Sequence, residues 1–136
     1  MILTETNFSI FQCLKQKIII IGCGKLGQAL MNHNGFPRVG IRVVAGFDSD
    51  PTVLDSEAPI PILHVKGIKE FIAENEIRVA ALTVPEPAAQ GMVDTLKKTC
   101  VKGVINFAPL PLKSSEEFII HNMNIEQEIE NLFYNI

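Results

Sequence analysis

The chain has 136 residues, of which 47% are hydrophobic and 20% are charged. This length suits one domain with its own hydrophobic core and is short for two. The net charge is −3 and the 12 Lys and Arg residues are dispersed, so we expect no DNA binding by this chain alone. No apolar run approaches the roughly 20 residues of a membrane span, which predicts no membrane association. Three cysteines without zinc-ligand or disulfide spacing fit a cytoplasmic protein without a metal site.

The first strand and the loop that follows it carry the strongest local signal. Residues 1–16 predict a short leading helix, and residues 17–136 are expected to form the main domain. That domain opens with KIIIIGCGKLGQAL at Lys17–Leu30. Four consecutive isoleucines predict a strand buried on both faces, which is typical of a parallel sheet. The glycines that follow have the spacing GxGxxG and are Gly22, Gly24 and Gly27.

In a dinucleotide-binding loop each of these glycines has its own role. Gly22 permits the tight turn, Gly24 lets a pyrophosphate approach the backbone, and Gly27 lets the helix pack closely on the sheet. The helix N-terminus offers N–H groups to an anion. A glycine turn with a packing role alone is the alternative. The predicted cofactor-binding set also contains the residues between the glycines, which are Cys23, Lys25 and Leu26.

The remaining elements follow in chain order. The first helix, with Leu26, Ala29, Leu30 and His33 at helical spacing, is expected to run to about Asn34. There Asn34-Gly35 ends it and Pro37 prevents its return. Apolar runs predict strands at 41–47, 62–65, 79–84, 103–107 and 117–121. One-sided apolar spacing predicts helices at 67–75 and from Pro87, the latter burying Ala88, Ala89, Met92, Val93 and Leu96. Together these elements predict an α/β fold, namely a Rossmann-type, doubly wound, mostly parallel sheet with helices on both faces.

Polar residues follow several strands, at the edge where ligands bind in such sheets. Asp48 stands about 20 positions after Gly27, where a carboxylate accepts hydrogen bonds from the adenosine ribose and repels a 2′-phosphate. This predicts NAD rather than NADP, and a turn-capping role in FDSDP is the alternative. Thr83 and Asn106 either line the crevice or make hydrogen bonds within loops. The predicted set at these strand ends is Asp48, Thr83, Val84, Pro85, Asn106 and Ala108.

Residues that could perform chemistry are scarce. A helix N-terminus can lower the pKa of a thiol such as Cys23, but a small apolar filler is the expected role. His33, His64 and His121 follow no ligand spacing. There is neither a nucleophile–base pair nor room for a second, substrate-binding domain, so we expect a protein that is not an enzyme.

The last segment, residues 125–136, predicts a helix with one apolar stripe. Asn124 and Gln127 resemble a capping box at its start. The stripe packs either on its own sheet or on a second copy of the chain. Its members are Ile125, Ile129, Leu132, Phe133 and Ile136.

Four segments, GCGKLGQAL, FDSDP, TVPEPAAQ and KGVINFAP, occur in this order and closely resemble one family. This family is the Rex redox-sensing transcriptional repressors, and the resemblance covers their NAD(H)-binding, C-terminal domain. It runs from about Lys17 to Tyr134. The resemblance implies a homodimer that binds NAD+ or NADH and leaves its operators when NADH accumulates. It also implies that the C-terminal helix is exchanged between subunits.

The chain departs from the family pattern at several places. The 16 residues before the first strand are too few for the family's winged-helix DNA-binding domain. His33 and Asn124 stand where the family usually has a switching tyrosine and aspartate. Ile125 stands where it often has an aromatic residue near the nicotinamide.

The leading hypothesis is therefore an NAD(H)-binding sensor domain of a Rex-like regulator, or a free-standing relative without DNA binding. A coenzyme A-binding Rossmann protein is the first alternative, although Asp48 would repel the 3′-phosphate of coenzyme A. The second alternative is a nucleotide-binding subunit of an enzyme that a partner chain completes.

Overall fold

The computed structural model describes residues 16–33, 35–109, 111–123 and 125–135, with backbone alone at 125–128. The leading helix predicted for residues 1–16 lies outside these ranges apart from Gln16. Asn34, Asn124 and Ile136 also lie outside them.

The described residues form six strands and five α-helices. The strands are β1 (Lys17–Ile21), β2 (Arg42–Asp48), β3 (Ile62–His64), β4 (Val79–Leu82), β5 (Gly103–Asn106) and β6 (Ile119–Asn122). The helices are α1 (Lys25–Met31), α2 (Gly35–Arg38), α3 (Ile68–Asn75), α4 (Glu86–Leu96) and α5 (Ile125–Asn135), and a 3-10 turn at Val65–Gly67 leads into α3.

The six described strands form one parallel sheet in the order β3-β2-β1-β4-β5-β6. The chain runs outward from β1 through β2 to β3, then crosses to β4 and continues outward through β5 to β6. The strand order therefore reverses between β1 and β4, and sheets of this kind bind their ligands beyond the carboxyl ends of the strands at such a point. This topology confirms the predicted Rossmann-type, doubly wound fold.

Both faces of the sheet are apolar, and they are covered to different extents. On one face Ile19 and Ile21 pack in a core with residues from α3 and α4, including Ile72 and Val93. On the other face Ile20 packs in a smaller cluster with residues from α1 and α2. Burial on both sides confirms what the run of isoleucines predicts.

The first helix is shorter than expected. α1 ends at Met31 rather than near Asn34, and residues 35–38 form a separate helical turn that contains Pro37. The prediction that Pro37 prevents a helix here is wrong, because a residue in the first turn of a helix needs no N–H partner. Phe36 in this turn packs edge-on against His33, with 4.9 Å between the ring centroids.

The buried face of α1 is narrow, and that of α4 differs from the expected one. Leu26 is 41% exposed and Ala29 is exposed, because α1 turns Gly27 and Met31 toward the sheet. In α4, Ala89, Val93 and Leu96 are buried at helical spacing, whereas Ala88 is exposed.

Strand boundaries shift by one or two residues. β4 ends at Leu82 rather than at residue 84, and β6 covers Ile119–Asn122 rather than residues 117–121. Single backbone hydrogen bonds continue past β4 and β5, as at Thr83, so these ends are gradual.

Candidate functional site

The glycine loop joins β1 to α1 at the centre of the sheet. Gly22 has φ +96°, a backbone conformation that favours glycine, and its N–H donates to the Phe47 carbonyl oxygen at 2.8 Å. A Cβ on Gly22 would lie 2.8 Å from both the carbonyl carbon and the Oγ1 of Thr83. A side chain at this position would therefore collide with the end of β4.

Gly27 is required by packing and Gly24 is not. A Cβ on Gly27 would overlap the carbonyl oxygen of Gly22 and lie 3.1 Å from the Thr83 hydroxyl oxygen. A Cβ on Gly24 would meet no atom within 4 Å, and the φ of −76° suits any residue. The contacts of the chain therefore explain Gly22 and Gly27, but they leave Gly24 without a structural reason.

Asp48 connects the end of β2 to the glycine loop. Its Oδ2 accepts a hydrogen bond from the Cys23 N–H at 2.8 Å, and its Oδ1 accepts one from the Asp50 N–H at 2.9 Å. The carboxylate thus caps its own turn and also lies against the loop. Two N–H donors use about half of the acceptor positions of a carboxylate.

Asp50 makes hydrogen bonds within the turn that follows β2. Its Oδ1 accepts hydrogen bonds from the Thr52 N–H at 2.9 Å and from the Thr52 hydroxyl at 2.8 Å. These donors lower the pKa of the Asp50 carboxyl below its ordinary value.

Thr83 makes hydrogen bonds within the loops at the sheet edge. Its hydroxyl lies 2.6 Å from the Gly22 carbonyl oxygen and 3.1 Å from that of Ile21, so it shares one proton between the two. This contact fixes the turn of the glycine loop against β4. The next residues along, Val84 and Pro85, are half-buried and exposed.

Asn106 is the buried polar residue of the site, with 1% of its surface exposed. Its Oδ1 accepts from the Ala108 N–H at 3.0 Å, and its Nδ2 donates to Asn122 Oδ1 at 2.8 Å. Ala108 is itself buried. The side chains of Asn106 and Ala108 therefore shape the loop from beneath rather than face the crevice.

Cys23 is completely buried, and its Sγ lies 3.6 Å from the Phe47 carbonyl oxygen. Burial, and next the nearby charge of Asp48, raise the pKa of the thiol from 9.0 to about 11, and the Phe47 contact partly opposes them. A Cβ on Gly46 would lie 2.7 Å from this sulfur. The thiol is thus a space-filling group, as the sequence predicts, and its backbone N–H is the part that touches the site.

Two residues of this region have no signal in the sequence. Gln28 lies one turn into α1, and its Nε2 donates to the Cys23 carbonyl oxygen at 2.8 Å. Asn122 ends β6 and contacts Asn106. Each side chain holds a loop by a hydrogen bond, and the spacing between the two bonded residues is not that of any known motif.

The described part of the chain contains no group of three or more His, Cys, Asp or Glu side chains that could hold a metal ion. None of the described helices is long and apolar enough to cross a membrane.

A glycine loop at the switch point of a parallel sheet, with a carboxylate from the next strand against it, defines a Rossmann-type nucleotide-binding domain. Residues 14–110 match the family model described as the CoA binding domain. The chain belongs to the CoA-binding domain family.

The chain is also similar to Rex repressors. It is 36% identical over 118 residues to the redox-sensing transcriptional repressor Rex of Listeria welshimeri, across 86% of this chain and 55% of that protein. The chain thus spans about half the length of the curated relatives it matches.

Among solved structures, the chain is similar to RSP, a Rex-family repressor. RSP in complex with β-NADH has a TM-score of 0.81 and 28% identity, across 96% of this chain and 64% of that one. RSP with β-NAD+ and operator DNA has a TM-score of 0.82 at the same identity, across 96% and 61%. These findings confirm the resemblance that the four sequence segments indicate. A more distant neighbour, UDP-D-quinovosamine 4-dehydrogenase from Vibrio fischeri, shares the fold alone. It is 20% identical and has a TM-score of 0.57, across 86% of this chain and 85% of that one.

Proposed function

We propose that residues 17–136 form the NAD(H)-binding redox-sensor domain of a Rex-like transcriptional regulator. The observation that carries this proposal is the hydrogen bond between Asp48 Oδ2 and the Cys23 N–H. The bond holds a carboxylate against the glycine loop, which supports a contact of Asp48 with the adenosine ribose of a dinucleotide. The role is sensing rather than catalysis, and it belongs to the cytoplasm, where such a regulator meets both NAD(H) and DNA. Operator contacts would lie outside residues 17–136.

The glycine loop supports a ligand with a pyrophosphate. Gly24 has open space where its Cβ would stand, and neither packing nor backbone conformation calls for a glycine there. Close approach of a phosphate to the backbone is the remaining reason for its small size. Lys25 and Leu26, both exposed, follow directly and begin α1.

Asp48 supports NAD(H) in particular. Its carboxylate keeps about two acceptor positions beyond the Cys23 and Asp50 amides, enough for the two ribose hydroxyls. A phosphate on either hydroxyl would meet this negative charge at close range. NADP carries a phosphate on the 2′-oxygen and coenzyme A carries one on the 3′-oxygen.

We expect the wild-type chain to bind NADH more tightly than NADPH or coenzyme A in titration calorimetry. Asp48→Asn keeps an oxygen acceptor and removes the charge, so its ratio of NADPH to NADH affinity should rise at least about tenfold.

Asp50→Asn is the matched control, because Asp50 lies two residues away and bonds within its own turn. Its affinity ratio should stay within about twofold of wild type. The family match to the CoA binding domain makes coenzyme A the second candidate ligand. Binding of coenzyme A or NADPH to the wild-type chain where NADH fails would contradict the proposal.

We also infer that two copies of the chain associate through α5. The helix presents apolar side chains to solvent, with Phe133 73% exposed and Ile129 and Leu132 also exposed. Its residues 125–135 include three glutamates and no lysine or arginine. An apolar stripe of this size needs cover, and its charge favours a basic partner surface.

The sheet offers such a surface on the face that α1 and α2 cover in part. Val79, Ile105 and Ile119 are 39%, 38% and 50% exposed there, beside an apolar cavity of about 490 Å³. An adjoining cavity of about 630 Å³ lies at the amino ends of the strands. Its lining contains the basic residues Lys17, Arg78 and Lys102 and also Glu76. Apolar and charged parts of this face thus both match α5 of a second copy, and Ile125 would join the contact.

A dimer of this kind is expected to dissociate when either side carries a charge. Phe133→Asp on α5 and Ile119→Asp on the sheet should each give a monomer in analytical ultracentrifugation, because each buries a carboxylate in the apolar contact. Val39→Asp, at a side chain 62% exposed in the turn after α2, is the control and should stay dimeric. A wild-type monomer, or a dimer that survives both changes, would refute this interface.

A further inference from the structure

The last residues of β5 and β6 form a pair of amides beneath the crevice. Asn106 and Asn122 are partners in the parallel register of the two strands. Asn106 Nδ2 donates to Asn122 Oδ1 at 2.8 Å. A polar side chain as buried as Asn106 is tolerated in a core when hydrogen bonds compensate for lost hydration. The pair therefore has a role that an apolar side chain would not perform.

That role concerns the loop that leaves β5. Asn122 Oδ1 accepts from the Leu112 N–H and Asn122 Nδ2 donates to the Leu112 carbonyl oxygen, both at 2.9 Å. Asn106 Oδ1 accepts from the Ala108 N–H at 3.0 Å. One asparagine thus holds the start of the loop and the other holds a residue four positions later. The two bonds engage the N–H and the carbonyl oxygen of one residue, so the peptide groups on both sides of Leu112 are held.

The topology determines which part of a dinucleotide this loop would meet. In a sheet of order 3-2-1-4-5-6 the two mononucleotides lie on opposite sides of β1. Asp48 at the end of β2 marks the adenosine side. The second nucleotide therefore extends over the ends of β4 and β5, and the loop from Phe107 borders that half.

We propose that Asn106 and Asn122 are positioning residues for the second nucleotide of the bound dinucleotide. They hold Ala108 and Leu112 after β5, so that NADH gains contacts there that ADP, which lacks the second nucleotide, does not make. This inference rests on the proposed NAD(H) binding and adds residues that act on one half of the ligand. Asn122 itself is exposed at the edge of the sheet, so Asn122→Ala opens no cavity in the apolar core.

The test compares ADP and NADH by titration calorimetry on the full chain. We expect Asn122→Ala to lower NADH affinity at least tenfold and to change ADP affinity by less than twofold. Asn122→Asp keeps the accepted bonds and loses the bond to the Leu112 carbonyl oxygen, so it should lower NADH affinity by a smaller factor. Amide hydrogen exchange should accelerate at Leu112 in Asn122→Ala, which loses the acceptor of that N–H, and stay unchanged at Thr83.

Asn75→Ala is the matched control. Asn75 Nδ2 donates to the Phe71 carbonyl oxygen at 3.0 Å, a half-buried amide contact at the end of α3. Its loss should leave both affinities unchanged. Equal losses of ADP and NADH affinity in Asn122→Ala, or no loss of either, would overturn the inference. So would a wild-type chain that binds ADP as tightly as NADH. A wild-type chain that binds no NADH would overturn the proposed function as well.

Discussion

We expect Gly24→Ala to fold normally and to bind NADH about 10- to 100-fold more weakly than wild type. The new methyl group would meet no protein atom within 4 Å, and the φ of −76° suits alanine. The folding free energy should therefore stay within about 1 kcal/mol of wild type. The methyl group occupies the space where a pyrophosphate would approach the backbone, and a loss of about 1.4 to 2.8 kcal/mol corresponds to this range of affinity.

Gly67→Ala provides the control for this variant. Gly67 also has no atom within 4 Å of its Cβ position and lies in the 3-10 turn after β3, outside the glycine loop. Its NADH affinity and thermal midpoint should match wild type. Unchanged NADH affinity in Gly24→Ala would mean that the ligand does not approach the loop at this residue.

The Gly27→Ala variant should have the largest effect on stability. Its methyl group would overlap the Gly22 carbonyl oxygen, which is backbone and is also held by the Thr83 hydroxyl at 2.6 Å. Relief requires α1 to move away from the end of β1. Because an extra methyl group in a well-packed core costs about 1–3 kcal/mol and this one overlaps backbone, we expect a loss of at least about 3 kcal/mol. This corresponds to a fall in Tm of about 10 °C.

Gly91→Ala is the comparison, because Gly91 lies within α4 with no atom within 4 Å of its Cβ position. Alanine in a helix interior is favoured over glycine by up to about 1 kcal/mol, so this variant should be slightly more stable than wild type. Differential scanning calorimetry of the two variants separates the clash at Gly27 from the general effect of replacing glycine in a helix. Similar Tm values for both would show that the contact between Gly27 and Gly22 can relax.

The sequence predicts those features of the fold and the site that depend on residues close together in the chain. The run of isoleucines, the glycine spacing and the acid after the second strand predict a parallel sheet with Asp48 near the loop. The hydrogen bond that the Cys23 N–H donates to Asp48 shows this proximity. Helical spacing predicted α1 but not its buried face, because the close approach of Gly27 to Gly22, rather than the apolar stripe, orients the helix.

Local sequence patterns do not predict the directions of the side chains at the strand ends. Thr83 and Asn106 each had two interpretations because a polar residue after an apolar run can face either the crevice or its own loop. The choice depends on partners far away in sequence, such as Gly22 for Thr83 and Asn122 for Asn106. Gln28 and Asn122 carry no signal in the sequence, because neither the contact of Gln28 with Cys23 nor that of Asn122 with Asn106 has a characteristic spacing.

The burial of the Cys23 thiol determines how the glycine loop reacts with oxidants. With a pKa of about 11, roughly one Cys23 thiol in ten thousand is ionised at pH 7. Peroxides and disulfides react with the thiolate, so they find almost no reactive form at this position, and burial also blocks their access. Oxidative stress therefore leaves the loop chemically unaltered. The geometry of the loop therefore depends on its hydrogen bonds to Asp48 and Thr83 and not on the oxidation state of Cys23.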